Sequence, residues 1–201
     1  MTMKLKFDPN LKYQDDAIES VVGLFKGQSR RQSHFTLSQN RNMPGILYTE
    51  QGIGNKLELS REDIEKNLQQ IQLKNGLAQS ESLSELDFDI EMETGTGKTY
   101  VYLKSILRLN EEYGFTKFII VVPSLAIKEG VYKTLQITES HFKESFNNII
   151  YDYFVYDSSK LDQVRNFAQA DHISIMVINI DAFRRSFNDP TKLNKQNIIH
   201  R

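Results

Sequence analysis

The stretch that decides the fold is Met92-Glu-Thr-Gly-Thr-Gly-Lys-Thr99. It stands between an apolar run at Phe88–Met92, which predicts a strand, and an amphipathic pattern at Lys98–Tyr113, which predicts a helix. Strand, glycine-rich loop and helix in this order are the context of a phosphate-binding loop, or P-loop. The loop departs from the usual motif at its first position, where Met92 stands in place of glycine or alanine.

Each residue type in this loop suits the binding of a nucleotide. Gly95 and Gly97 permit backbone angles that a Cβ would forbid, and they let the chain approach phosphate closely. The successive N–H groups of the loop converge on the phosphates at the positive end of a helix. Lys98 reaches the β- and γ-phosphate oxygens, and the Thr99 hydroxyl is placed to ligate Mg²⁺, so these two are the candidate catalytic residues. The sequence therefore predicts a site for ATP and Mg²⁺ comprising Thr94, Gly95, Thr96, Gly97, Lys98 and Thr99.

Composition excludes several other classes of protein. The chain has 201 residues, of which 39% are hydrophobic and 25% charged, as in ordinary globular domains. Its formal net charge of -1 excludes a wholly basic, histone-like protein, so any nucleic-acid contact must come from a local patch. It has no cysteine, which excludes disulfides and thiolate metal sites. No apolar run approaches the ~20 residues that span a bilayer, and no secretory signal is present, so we expect a cytoplasmic protein without membrane contact.

The second half of the chain alternates between strand and helix patterns. Alternation of this kind indicates βαβ units and a buried parallel sheet, which is an α/β architecture. The predicted strands are Phe118–Val122, Ile149–Val155 and Ile173–Ile180, and the predicted helices between them are Ala126–Thr138 and Ser159–Ala168.

A polar insertion separates the first predicted helix, Tyr13–Lys26, from the P-loop. It covers residues 28–86, is rich in Gln, Asn and Ser, and is electrically neutral. Inside it the sequence predicts a hairpin, and then a helix that a capping box opens. The hairpin strands are Gly45–Thr49 and Lys56–Leu59 around a glycine-rich loop at Gln51–Asn55, and the helix follows Ser60–Asp63 and ends at Lys74 before Asn75-Gly76.

Together with Tyr13-Gln14 at the start of a helix, the P-loop resembles the first RecA-like lobe of superfamily 2 helicases and translocases. The resemblance implies that Gln14, next to Tyr13, reads the edge of adenine through an amide that is both donor and acceptor. A second block, Lys117–Ser124, resembles the motif of that superfamily in which a Pro-Ser turn, here Pro123-Ser124, grips a nucleic-acid phosphate. A third block, Ile173–Phe183, is a predicted strand followed by a polar turn, with Asn179 and Asp181 at the carboxyl end of the strand.

Three longer blocks narrow the resemblance to the restriction (Res) subunit of type III restriction-modification enzymes: Phe88–Leu103, Tyr113–Ser124 and Val177–Phe183. In that family the subunit is far longer, with two RecA-like lobes and a distal nuclease. The resemblance implies ATP-dependent movement on double-stranded DNA, cleavage, and a partner modification (Mod) subunit. It also implies a RecA-like P-loop NTPase fold, a parallel sheet with flanking helices, and candidate DNA contacts at Pro123, Ser124 and Asn179. The paired arginines Arg184 and Arg185, beside a strand end, are further candidates for contact with a DNA backbone.

The sequence lacks the acidic partner that ATP hydrolysis requires. No apolar strand after the P-loop ends in Asp-Glu, and Asp181 follows a strand without a neighbouring Glu. Asp87, Asp89 and Glu91 are interpreted as solvent-side charges rather than a nuclease metal site. We therefore expect residues 1–201 to be an incomplete first lobe that binds ATP·Mg without hydrolysing it efficiently, with the native gene continuing past Arg201. The alternatives are the first lobe of another superfamily 2 enzyme, or a non-catalytic nucleotide-binding module.

Overall fold

The computed structural model describes residues 11–30, 34–38 and 50–185, and these form two compact units. Unit 1 is Met1–Gln32 with Lys56–Gly114, and unit 2 is Ser33–Asn55 with Phe115–Arg201. The chain thus leaves unit 1 after its first helix, contributes to unit 2, and returns before the P-loop. Among the described helices, none is long and apolar enough to cross a membrane.

The described part of unit 1 contains three helices: α1 (Lys12–Gly23), α2 (Arg61–Lys74) and α3 (Lys98–Tyr113). α1 and α3 bury their apolar faces against each other, with Ile18 and Val22 of α1 and Leu103 and Leu107 of α3 each only 2% exposed. The predicted first helix is confirmed, although it ends at Gly23, three residues before the predicted Lys26, and a turn leads to Gly27. Gly27 has a φ of +96°, a conformation that favours glycine.

The predicted capping box at the start of α2 is confirmed. The Ser60 hydroxyl accepts a hydrogen bond from the Asp63 N–H at 3.1 Å, and the Asp63 carboxylate accepts one from the Ser60 N–H at 3.3 Å. The helix ends at Lys74 with Asn75 as its cap, and Gly76 follows at a φ of +70°. Local side-chain chemistry therefore sets both ends of this helix, which is why the sequence predicts them well.

Segment 79–84 is held along one face of α2 by polar side chains. The Gln72 amide donates to the Ser80 hydroxyl at 2.8 Å and accepts from the Ser80 N–H at 2.9 Å. Glu65 accepts from the Leu83 N–H at 3.1 Å. Gln69 and Arg61 donate to the carbonyls of Ser80 and Ser84 respectively. These helix residues recur at three- and four-residue spacing, so a polar ladder on α2 fixes the path of the chain toward the P-loop.

Two strands predicted near the P-loop are wrong. Phe88–Met92 has no regular secondary structure, and Ile90, expected to face a core, is 49% exposed. Unit 1 contains no strand among its described residues, so this segment has no ladder partner there. Lys56–Leu59 is also not a strand, because the Gln28 side chain satisfies its backbone by donating to the Lys56 carbonyl at 3.2 Å and accepting from the Glu58 N–H at 2.9 Å. As predicted, Asp87, Asp89 and Glu91 are exposed.

The described part of unit 2 is built on three parallel strands, β3 (Lys117–Val122), β4 (Tyr151–Val155) and β5 (Ile173–Asn179). Their order in the sheet is β3-β5-β4, and this arrangement confirms the predicted α/β fold with a parallel sheet and flanking helices. The central strand β5 is fully buried from Ile173 to Ile178, as expected for a parallel sheet covered on both faces. Its neighbours are α4 (Leu125–Ser145), α5 (Leu161–Gln169) and α6 (Ile180–Arg185).

The helices of unit 2 differ in detail from the prediction. α4 extends seven residues beyond the predicted Thr138, because Phe142 continues its buried stripe. Residues after β5, predicted as a polar turn, form the short helix α6. The predicted strand at Ile149–Val155 begins at Tyr151, and Ile150 is 71% exposed.

The hairpin of the insertion pairs different residues from those predicted. β1 (His34–Ser38) pairs antiparallel with β2 (Glu50–Gly54), so the predicted loop Gln51–Asn55 is itself largely a strand. The predicted strand Gly45–Thr49 lies outside the described residues. Asn55 then ties this hairpin to the sheet: its side-chain oxygen accepts from the N–H groups of Thr116 and Lys117 at 2.8 and 3.0 Å.

Candidate functional site

The glycine-rich loop of unit 1 turns through two glycines directly into the start of α3. Gly95 and Gly97 both have positive φ, +83° and +86°, and Gly97 is the N-cap of α3. Lys98 begins the helix, so the first N–H groups of α3 point into the loop without partners within the helix. The positive end of α3 therefore faces the space in front of the loop, where an anion is stabilised.

Gln14 of α1 lies directly against this loop. It is only 7% exposed, and its side-chain nitrogen donates to the Thr96 carbonyl at 2.8 Å. A Cβ placed on Gly97 would meet that nitrogen at 2.6 Å, a distance at which one of the two groups must move. The absence of a side chain at Gly97 is thus what lets Gln14 approach the loop. Tyr13, the neighbouring residue, is 49% exposed.

Polar contacts between α1 and α3 hold Gln14 in this position. Lys104 of α3 pairs with Asp15 of α1 at 2.9 Å. One turn further along both helices, Arg108 pairs with Glu19 at 3.3 Å. At the far end the Tyr113 hydroxyl donates to the Val22 carbonyl at 3.1 Å. The order of these contacts shows that the two helices run parallel, so both begin at the glycine-rich loop.

Two side chains of the glycine-rich loop form hydrogen bonds with the loop's own backbone. The Lys98 ammonium and the Thr96 hydroxyl both donate to the Glu93 carbonyl, each at 2.6 Å. In front of them lies an open concavity of about 620 Å³ lined by Ile90, Glu91, Met92, Glu93 and Lys98. Of the predicted site residues, Lys98 lines this concavity and is exposed. Thr94 is also exposed, and Thr99 is half-buried.

A second group of predicted site residues lies in unit 2. Val122 of β3 pairs with Asn179 of β5, so Pro123 and Ser124, which follow Val122, stand at the same sheet edge as Asn179. Pro123 and Ser124 are exposed, and the Ser124 hydroxyl caps α4 by accepting from the Ile127 N–H at 3.3 Å. This bond leaves the hydroxyl proton available to a ligand. Arg184 and Arg185 lie in α6, and their side chains fall outside the described part of the chain.

One structural contact of the loop was not predicted from the sequence. The Thr96 carbonyl is the unexpected partner of Gln14, because a contact across 82 residues leaves no local signal. Among the described residues, no group of three or more His, Asp or Glu side chains is arranged to hold a metal ion.

Comparison of the sequence with known proteins assigns the chain to a family. The family model described as type III restriction enzyme, res subunit, matches residues 9–199. The chain belongs to this family.

Named relatives agree with this assignment. The chain is 32% identical over 160 residues to the type III restriction-modification enzyme EcoPI Res subunit of Escherichia phage P1, and 31% identical over 160 residues to the EcoP15I Res subunit of Escherichia coli. Each match covers 77% of this chain and 15% of the relative. The StyLTI Res subunit of Salmonella typhimurium is 45% identical over 64 residues, which cover 31% of this chain and 6% of the relative. No solved structure shows a significant match.

Proposed function

We propose that this chain is the ATP-binding first RecA-like lobe of a type III restriction enzyme Res subunit. In this proposal residues 28–86 are an insertion between the helix that carries Gln14 and the P-loop. The observation that carries the proposal is the contact of Gln14 with the backbone at Thr96, beside the side-chain-free cradle at Gly97. It joins a candidate base-recognition residue to a candidate phosphate-binding loop within one unit.

The residues of the loop fit the groups of ATP and Mg²⁺. The cradle that a Cβ at Gly97 would fill, the Lys98 ammonium and the N–H groups that open α3 form an anion site. The half-buried Thr99 hydroxyl is an oxygen ligand of the type that Mg²⁺ prefers. In this proposal Lys98 would exchange the Glu93 carbonyl for phosphate oxygens, and Thr99 would hold a Mg²⁺ whose charge offsets that of the phosphates.

Gln14 and Tyr13 are the proposed adenine contacts. A glutamine amide has two N–H protons and an oxygen acceptor. One proton can stay on the Thr96 carbonyl while the other proton and the oxygen meet the edge of the base. Tyr13 is exposed at the start of α1 and offers an aromatic face beside Gln14. Base recognition and the shape of the phosphate loop would then be coupled through a single side chain.

We propose an activity for the whole protein from its similarity to the Res subunits. The chain spans about 15% of the length of the EcoPI and EcoP15I Res subunits. We infer that the whole protein is a cytoplasmic enzyme that moves along double-stranded DNA at the expense of ATP, cleaves it, and works with a Mod subunit. Exposure of Pro123 and Ser124 beside Asn179 at one sheet edge supports a DNA contact there, which Arg184 and Arg185 would extend.

Hydrolysis by this chain alone is expected to be inefficient. The acidic doublet Asp15-Asp16 lies on α1, where Asp15 pairs with Lys104. A second doublet, Glu62-Asp63, lies in the first turn of α2. A third, Glu111-Glu112, lies near the end of α3 and surrounds Arg108. None of the three follows a strand, where the Mg²⁺-holding acid of such enzymes is expected.

Binding of a fluorescent ATP analogue to the purified protein tests the nucleotide site. Lys98→Ala should weaken binding at least about tenfold, since it removes a charge contact with phosphate. Lys133→Ala, which removes an exposed lysine of unit 2, is the matched control and should bind like the wild type. Equal affinity of Lys98→Ala and wild type would remove the loop from the site. Multiple-turnover, DNA-stimulated ATPase activity would contradict only the expectation of inefficient hydrolysis.

A further inference from the structure

Lys104 of α3 makes two contacts close to the residue that is proposed to read adenine. Its ammonium pairs with the Asp15 carboxylate at 2.9 Å, and Asp15 follows Gln14 on α1. The same ammonium lies 5.9 Å from the centroid of the Tyr100 ring, one turn earlier on α3 and within the range of a cation–π contact. The Lys104 side chain is only 17% exposed, so its ion pair is screened less by salt than a pair on the surface. This lysine therefore links α1 to the first turn of α3.

Gln14 and Tyr100 both lie close to Gly97. The place where a Cβ on Gly97 would stand is 2.6 Å from the Gln14 side-chain nitrogen and 4.0 Å from the Cβ of Tyr100. Lys104 thus contacts the ring of one of these residues and the sequence neighbour of the other. A shift of α1 along α3 would break the Lys104 pair and move Gln14 at the same time.

Apolar packing between α1 and α3 does not by itself fix the place of Gln14. The side chains that the two helices bury, such as Ile18 and Leu103, are apolar, and apolar burial has no directional requirement. A hydrogen-bonded ion pair requires a defined distance and angle. The Lys104–Asp15 pair therefore supplies a directional contact beside Gln14.

Recognition of adenine depends on which way the Gln14 amide faces. Its nitrogen donates to the Thr96 carbonyl at 2.8 Å, so this bond distinguishes the nitrogen end of the amide from the oxygen end. Adenine presents a donor and an acceptor side by side, at N6 and N7, whereas guanine presents two acceptors, O6 and N7. An amide held in one orientation pairs with the adenine edge, while its oxygen repels O6 of guanine. An amide that is free to turn loses part of this discrimination.

We propose that Lys104 is a positioning residue for adenine recognition, and that it acts through Asp15 on the orientation of Gln14. Its contacts hold α1 where the Gln14 nitrogen keeps its bond to the Thr96 carbonyl. The inference rests on the proposed function, since it takes Gln14 as the adenine contact. Lys104 touches neither base nor phosphate in this proposal, so its loss should change selectivity for the base and not affinity for the phosphates.

Competition binding to the purified protein measures base selectivity and phosphate affinity separately. ATP, GTP and inorganic triphosphate each displace a fluorescent ATP analogue, in the presence of Mg²⁺, from wild type and from Lys104→Met, which keeps an unbranched apolar side chain. The ratio of the GTP to the ATP dissociation constant should fall at least about fivefold in Lys104→Met, because a hydrogen bond of ordinary strength is no longer held in place. Affinity for inorganic triphosphate should stay within about twofold of wild type.

Asp15→Asn and Glu19→Gln form a matched pair, because each converts a carboxylate of α1 into an amide of the same shape. Asp15→Asn should lower the ratio as Lys104→Met does, and combining the two should add nothing further. The combined variant has the net charge of the wild type, so a loss that persists in it excludes a long-range charge effect. Glu19→Gln should leave the ratio unchanged, since its partner Arg108 lies further from the loop and keeps carboxylate partners on its own helix.

The outcomes distinguish this inference from the proposed function. Wild-type selectivity in Lys104→Met and Asp15→Asn would overturn the inference alone, and so would an equal loss of affinity for all three ligands, which a purely structural role predicts. A wild type that binds ATP and GTP equally would overturn the inference together with base recognition by Gln14. A wild type that binds none of the three ligands would overturn the proposed function, and the inference with it.

Discussion

At the scale of single residues, two features of the backbone at Gly97 require glycine there: its positive φ and the close approach of a neighbouring side chain. Its φ of +86° disfavours any side chain, and its missing Cβ leaves room for the Gln14 amide at 2.6 Å. Gly95 has nearly the same φ, +83°, but nothing lies within 4 Å of the place where its Cβ would stand. Substituting alanine at Gly95 should therefore cost backbone strain alone, whereas alanine at Gly97 should cost the same strain plus a steric clash with Gln14.

Gly97→Ala should destabilise the protein more than Gly95→Ala. Each variant incurs the left-handed conformation of alanine, about 1–2 kcal/mol. Gly97→Ala should also displace Gln14 and lose its bond to Thr96, which adds about 1 kcal/mol. Free energies of unfolding from urea titrations measure both variants. In a Gln14→Ala background the difference between them should vanish, and equal destabilisation in the native background would refute the contact.

Ser124 caps α4 and, by our proposal, also contacts a DNA phosphate. Two substitutions at this residue can separate the two roles. Ser124→Ala should cost about 1 kcal/mol through loss of the α4 cap, so a weaker DNA affinity in this variant alone would be ambiguous. Ser124→Asp keeps a capping oxygen but places a negative charge near a phosphate. It should retain wild-type stability and weaken binding of duplex DNA at least about fivefold in fluorescence anisotropy at low salt. Wild-type DNA affinity in Ser124→Asp would count against a phosphate contact.

At the scale of elements, the starts of β4 and β5 are joined by an ionisable group. His172, just before β5, contacts Asp152 of β4 at 2.6 Å and Asp171 at 3.3 Å. These hydrogen bonds, the one to Asp152 above all, raise the pKa of His172 above its ordinary 6.5. The charged imidazolium is therefore favoured by folding, and its stabilising effect is complete below the unfolded-state pKa.

His172→Gln should consequently be more destabilising at pH 5.5 than at high pH. The stabilising effect in the wild type is lost as the pH rises through the raised folded-state pKa of His172. Free energies of unfolding for wild type and variant at pH 5.5 and pH 8.5 measure the change. Both proteins keep Lys117, whose burial lowers its pKa to about 8, so its titration largely cancels in the difference. A pH-independent difference would show that His172 contributes only packing.

Elements fixed by local chemistry were predictable, and those fixed by distant partners were not. The capping box of α2, the parallel strands β3 and β5 and the start of α3 follow from caps and apolar runs, and the structure confirms them. β1 pairs with a strand that begins 12 residues after β1 ends, and no short turn motif in the sequence indicates that pairing. The α2 ladder likewise depends on side chains that appear solvent-facing in the sequence alone.

At the scale of the whole molecule, the candidate residues are shared between two units of different character. The unit with the glycine-rich loop contains only helices among its described residues, and the parallel sheet belongs to the other unit. The sequence predicted both the loop and the sheet edge because each is a short motif. It could not predict the division into units, because residues 33–55 join the sheet-containing unit from within the insertion.

Ligand linkage should appear in the stability of the whole chain. At an ATP·Mg concentration 100 times the dissociation constant, binding adds about 2.7 kcal/mol to the free energy of unfolding, which corresponds to roughly 5–10 °C in Tm for a chain of this size. Lys98→Ala at the same nucleotide concentration should show a much smaller shift. Differential scanning calorimetry measures both, and equal shifts would place ATP outside the loop.

The hydrogen bonds between the Gln28 side chain and the backbone of residues 56 and 58 also affect the entropy cost of folding. The Gln14–Thr96 bond closes a loop of 82 residues, and the Gln28–Glu58 bond closes one of 30 within it. Closure entropy grows only with the logarithm of length, by about 0.6 kcal/mol for each doubling. Once the inner loop is closed, the length of chain between residues 28 and 56 no longer adds to the entropy cost of bringing Gln14 to the glycine-rich loop. The length of this segment can therefore change greatly in evolution with little effect on the formation of the Gln14–Thr96 contact.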